Sequence, residues 1–176
     1  MAGILDNIAG RATVSGADEG RAMRTVQAEV FASDTRDDLE HFEPYGFTSG
    51  VKPDSEAVVI SLGGDRDHTV AVVIADRRFR FKVKTGEVAV YDDIGQSIHL
   101  SRDGIKVDGG GNPIAISNTP KITCDTPLIE VTGDIKAREI MDAGGSKSMS
   151  GMRATFDEHI HPETNSSHTR KPTETM

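Results

Sequence analysis

Ile98-His99-Leu100-Ser101-Arg102-Asp103-Gly104-Ile105-Lys106-Val107-Asp108-Gly109-Gly110-Gly111-Asn112-Pro113-Ile114-Ala115-Ile116 opens a ladder of apolar pairs. The pairs are Ile98 and Leu100, Ile105 and Val107, Ile114 and Ile116, Ile122 and Cys124, Ile129 and Val131, with Ile135 and Ala137 as a weaker member. Val88 and Val90 precede them in the same pattern. Steps between first members, from Ile98 to Ile135, are 7, 9, 8, 7 and 6 positions. A two-residue spacing puts both side chains on one face of an extended strand. Turn formers separate the pairs: Asp103-Gly104, Asp108 to Asn112, Asn118-Thr119-Pro120, Asp125-Thr126-Pro127 and Gly133-Asp134. The segment therefore reads as very short strands joined by tight turns.

A rung of this kind has no interior of its own. Ordering backbone costs about 1–2 kcal/mol per residue, a buried aliphatic side chain contributes roughly 1.5–3 kcal/mol, and each rung supplies only two. No Phe or Tyr stands between Tyr91 and Phe156 to thicken the core. Winding three chains around one axis lets the pairs meet and lets backbone groups pair between chains, so the ladder predicts an intertwined trimer. A single-chain β-solenoid is the alternative, but its coils run to roughly 18 or more residues. Cys124, the one cysteine, excludes an intrachain disulfide and reads as a small buried hydrophobe.

Upstream, from about Arg11 to Val83, the periodicity is that of a small antiparallel β domain. Val26, Ala28 and Val30 alternate with Thr25, Gln27 and Glu29, and the same two-residue spacing recurs at Val58, Ile60 and Leu62 and at Val70, Val72 and Ile74. Gly63 to His68 reads as a hairpin loop, Phe79-Arg80-Phe81-Lys82-Val83 as a further strand, and the acidic stretch Asp34 to Glu43 as an exposed loop. Four or five strands suffice for a closed barrel of the oligonucleotide/oligosaccharide-binding type. Asp65, Asp67 and His68 are read as polar residues of a hairpin tip rather than a catalytic cluster. Gly63-Gly64-Asp65-Arg66 lacks the Gly-Lys-Ser/Thr ending of a phosphate loop.

A net charge of −8 and few aromatics argue against nucleic-acid binding. Arg77, Arg78, Arg80, Lys82 and Lys84 alternate with apolar residues as on a strand with one wet face. No apolar run reaches transmembrane length, and Met1-Ala2-Gly3-Ile4-Leu5 lacks the features of a secretory signal, so synthesis in a cytoplasm is expected. Without such a signal the Asn165-Ser166-Ser167 triplet carries no weight as a glycosylation site.

Past Ile140 the chain turns to small residues and Met, then reaches His159-Ile160-His161. On a strand the two imidazoles share a face. Two cannot complete a metal shell, but six from three chains on a threefold axis could enclose iron or nickel. A shell of six nitrogens leaves no open position, so such a centre is structural and not catalytic. The bland reading is a pair of exposed polar residues near a terminus. His168 reads as solvated, His41, His68 and His99 as isolated, and Asp157 and Glu158 as surface charges.

Gly64-Asp65-Arg66-Asp67-His68, Asp76-Arg77-Arg78-Phe79-Arg80, Gly86 to Asp93 and Ile98 to Ile105 together resemble the Mu-like phage central spike proteins, the baseplate assembly protein V family. The resemblance covers nearly the whole chain, and His159-Ile160-His161 matches that family's apical iron motif. It implies an all-β homotrimer at the tip of a contractile tail: an OB-fold-like, hub-docking barrel over 1–84, a triple-stranded β-helix shaft over 85–145 and a pointed apex over 146–176. It also implies one Fe ion per trimer on His159 and His161, with Ca or chloride in the shaft of some members. Tail hub and baseplate proteins are the expected partners, and the location is the virion tail tip after assembly in the host cytoplasm.

The expected function is mechanical: contraction drives the trimer through the host outer membrane, and no enzyme activity is required. A metal-dependent cupin-like enzyme also uses His-x-His on a strand. That pattern wants a Glu three or four residues later and another histidine-bearing strand, whereas here Pro162-Glu163 follows at once and only 15 residues remain. Oligosaccharide or oligonucleotide binding by the barrel is a third reading, but its expected face shows no series of stacking aromatics.

Overall fold

Ala12 and Val14 point inward from β1 (Ala9–Asp18) while their neighbours face solvent, and the same alternation runs through the strands beside it. The computed structural model describes residues 8–31, 34–165 and 167–176. Met1 to Leu5 and Ser166 lie outside the described residues. Two units can be distinguished, Met1–Ser117 and Asn118–Met176.

In the first unit, β1, β2 (Thr25–Phe31), β3 (Asp34–His41), β4 (Glu56–Ser61) and β5 (Thr69–Ala75) close into a barrel in the order β1-β2-β3-β5-β4. Its pairings are antiparallel except β3 with β5. Ala12, Val14, Val26, Ala28, Leu39, Ala57, Val59 and Ala71 form the core. A barrel this narrow is filled by small and branched aliphatic side chains, and among the described residues its hydrophobic core includes no Phe or Tyr.

Two expectations fail here for local reasons. Asp34 to His41 is the strand β3 and not a loop. Leu39 and His41 are buried on it, and an extra residue at Asp37-Asp38 opposite Gln27, with Asp38 at φ 59°, breaks the alternation that would have revealed it. Phe79 to Val83 is not a strand. Asp76 accepts hydrogen bonds from the Arg78 backbone N–H at 2.9 Å and from its guanidinium, which pulls Arg77–Phe79 into a 3-10 turn. The Arg78 guanidinium and backbone N–H hold the Asp76 carboxyl down at about 2.

The first three rungs of the ladder do form strands: β6 (Val88–Tyr91), β7 (Ser97–Ser101) and β8 (Gly104–Asp108) make an antiparallel sheet. Its register aligns Val88 with Leu100 and Ile105, and Val90 with Ile98 and Val107. Six aliphatic side chains thus share one face, and each remains between 45% and 73% exposed.

His99 lies on the opposite face and is not isolated, contrary to expectation. Its ring meets Phe81 edge-on at 5.1 Å, and its Nε2 is 3.2 Å from the Glu87 carboxylate. Glu87, only 4% exposed, also accepts from the N–H groups of Lys84 at 2.9 Å and Arg102 at 3.1 Å. Those two backbone donors, with His99 behind them, hold its carboxyl down at about 2. A carboxyl lowered by folding adds stability above its ordinary value of about 4.3 and loses that contribution as pH falls toward 2. Glu87→Gln is therefore expected to lower the thermal midpoint at pH 6 and to flatten its decline between about pH 5 and 2, read by thermal unfolding across that range. An unchanged acid profile would contradict this role for Glu87.

In the second unit no strand forms between Asn118 and Ile140 among the described residues. The Thr-Pro corners are built as turns: Thr119 Oγ1 donates to the Lys121 carbonyl at 2.9 Å, and Thr126 Oγ1 to that of Leu128 at 3.1 Å. Ile122, Ile129, Val131 and Ile135 are exposed, and so is Cys124, which was expected to be buried. In a single chain nothing covers this face of the rungs.

β9 (Met141–Asp142) and β10 (Lys147–Ser148) form a small hairpin, and α1 (Met149–Glu158) follows. This helix departs from the all-β expectation. Ser148 caps it by accepting the Gly151 N–H at 3.1 Å, and Met, Arg and Ala sustain it. Among the described residues no helix is long and apolar enough to cross a membrane.

Candidate metal centre at the histidine pair

His159 is the first residue beyond α1 and has left the helical conformation, at φ −70° and ψ 145°. His161 precedes Pro162, whose ring disfavours helical backbone at the residue before it. The segment is not part of a regular strand as expected, but its two imidazoles still meet, with ring centroids 5.2 Å apart and planes at 89°.

The ring of His159 is held from the helix side. Its Nδ1 lies 2.5 Å from the Phe156 carbonyl oxygen, and the Phe156 ring packs 5.4 Å from its own. A carbonyl only accepts, so that contact assigns the proton to Nδ1 and leaves the Nε2 lone pair available. A backbone carbonyl behind a ligating imidazole is the usual support in metal sites. The donor set therefore suits a transition metal that takes neutral nitrogen.

Among the described residues no three His, Cys, Asp or Glu side chains come together to hold a metal. One chain provides two imidazoles and no more. Asp157 accepts the Met176 N–H at 3.0 Å, Glu158 pairs with Lys171, and His168 lies across from Pro162 in an isolated antiparallel bridge. The third histidine and nearby carboxylate of a cupin-like site are thus missing from the described residues.

The other candidates are structural. His68 donates its N–H to the Asp65 carbonyl at 3.1 Å inside the β4–β5 loop, and Asp67 pairs with Arg36. His41 is buried, and that burial pushes its pKa below the ordinary value. Arg77 pairs with Glu56, and Arg78 with Asp76 and Asp54, so two of the five basic residues of the run from Arg77 to Lys84 have carboxylate partners. Sequence reasoning missed the contacts of Phe156 and Thr169 with the pair. The spacing of Met149, Met152 and Phe156 carried a helical signal that the short-strand reading passed over.

Residues 11–78 match the family described as Bacteriophage Mu Gp45, N-terminal. The chain is 28% identical over 161 residues to the "Baseplate puncturing device gp45" of Escherichia phage Mu, covering 86% of this chain and 81% of that protein. It is 29% identical over 164 residues to the "Mu-like prophage FluMu protein gp45" of Haemophilus influenzae, covering 89% and 90%. These similarities define a class, the structural proteins of phage baseplates, whose place is the virion tail among other baseplate components and whose members are not enzymes. Within that class the chain is similar, over most of its length, to the gp45 proteins of phage Mu and of a Mu-like prophage.

Proposed function

We propose that the protein is the homotrimeric central spike of a contractile tail and pierces the host outer membrane when the tail fires. The observation that carries this is the exposed face of β6, β7 and β8, with Ile105 at 73% and Leu100 at 45%. Six aliphatics on one short sheet, followed by further pairs that make no strand in the single chain, form a surface that three copies can bury mutually. Stiffness then comes from interchain pairing, and penetration needs no bond to be cleaved.

In this reading residues 1–84 dock to the tail hub through a barrel of the OB type, a likeness supported by its strand order and its parallel β3–β5 closure. Residues 85–145 wind into the triple-stranded shaft, and 146–176 form the apex. His159 and His161 of three chains hold one iron ion on the axis, which ties the chains together in a segment whose exposed side chains supply no core. The name of the phage Mu relative, a baseplate puncturing device, favours the same mechanical role.

Native mass spectrometry of the full chain with elemental analysis tests the stoichiometry. The expected result is three chains and one iron. One metal per chain would contradict the shared site and favour the cupin-like reading.

A further inference from the structure

Beyond His161 the chain folds back on itself. Pro162 bridges His168, the Glu163 N–H donates to the Ser167 carbonyl at 2.9 Å, and Ser167 Oγ donates to the Glu163 carboxylate at 2.7 Å. The return ends on Thr169, which takes both main-chain polar groups of His161: its hydroxyl accepts the His161 N–H at 2.8 Å, and its own N–H donates to the His161 carbonyl at 2.9 Å.

We infer that Thr169 is a positioning residue for His161, closing a clamp that holds the imidazole pair in ligating geometry before an ion arrives. This rests on the shared iron site proposed above and deepens it. The direction in which an imidazole leaves the chain follows from the φ and ψ of its residue. At His161 Pro162 restricts ψ to the extended range, and the grip of Thr169 on the N–H restricts φ. At His159 the Phe156 carbonyl fixes the proton on Nδ1, and the Phe156 ring fixes the plane. Each histidine thus has its own support, one from the helix before the pair and one from the return after it. Because His159 and His161 are exposed and no packed core holds them, such support decides whether the rings are already aligned when the metal comes.

Thr169→Val keeps the branched shape and removes the hydroxyl, while Thr169→Ser restores it. The full-length trimers of wild type, T169V, T169S and the H159A/H161A double variant would be loaded with iron and challenged with a chromophoric chelator. Losing an outer support of a ligating histidine costs about 10–100-fold in metal affinity, so T169V is expected to lose iron at least about tenfold more readily, and T169S to stay within about threefold of wild type. With cobalt(II) in place of iron, the visible absorption of T169V is expected to shift and that of T169S to match wild type. Trimer mass and barrel unfolding should not change in either.

A T169V trimer that holds iron as firmly as wild type, or a T169S trimer that fails alongside it, would overturn the clamp while leaving the site in place. A wild-type trimer that retains no more iron than H159A/H161A would overturn the site and the clamp together.

Discussion

Aspartate at both Ile98 and Leu100 is expected to abolish the trimer and leave a monomer with an intact barrel. Both side chains lie on the exposed face of β7, aligned with Val90 and Val107 and with Val88 and Ile105. If three copies bury that face, the double variant places six carboxylates in an interior with no cation to meet them. An unpaired charge in such a place costs several kcal/mol, more than the roughly 1.5–3 kcal/mol that each aliphatic contributed. The barrel should not respond, because its core of Ala12, Val14, Val26, Ala28, Leu39, Ala57, Val59 and Ala71 contains neither residue. Size-exclusion chromatography with light scattering reads the mass, and thermal unfolding reads the barrel. A trimer that survives I98D/L100D would show that the face is not buried between chains.

Removing both imidazoles should have an equally plain effect on metal content. H159A/H161A removes all six imidazole donors of the proposed site, so iron is expected to fall from one ion per trimer to none by elemental analysis. Each single variant removes three of six donors and is expected to lose most of its iron on dialysis. Acid should act in the same direction, because protons compete with the metal for the same lone pairs. The trimer should persist in the double variant, since the shaft and not the ion supplies most of the buried apolar surface. Unchanged iron in H159A/H161A would refute the site. Collapse of the trimer would mean that the ion, and not the ladder, holds the chains together.

Much of this was legible in the residues. The apolar spacing at Val26, Val58 and Val70 gave three barrel strands, although β4 turns Ala57 and Val59 inward and leaves Val58 exposed, and the pairs at Val88, Ile98 and Ile105 gave the sheet that follows. What stayed hidden had local causes. The bulge at Asp37-Asp38 disguised β3 as an acidic loop, and the grip of Asp76 on Arg78 turned an alternating segment into a 3-10 turn. His99 and Glu87 looked unrelated because their contact depends on Phe81 and the Lys84 N–H arriving from irregular backbone. The helix α1 was hidden by Gly and Ser, which favour turns in isolation, until Ser148 capped it. The His-x-His spacing does bring the two rings near one another, but on irregular backbone and not on the strand that was expected. The support from Phe156 and Thr169 depended on a helix and a return segment that the polar composition did not announce.

Sedimentation of the full chain over a dilution series into the nanomolar range, with circular dichroism on the same samples, addresses the central claim that the rung ladder acquires an interior only between chains. A single species of three times the 18.9 kDa chain mass, losing β signal only as it dissociates, is the expected result. A monomer of 18.9 kDa that keeps its full β content on dilution would contradict the claim.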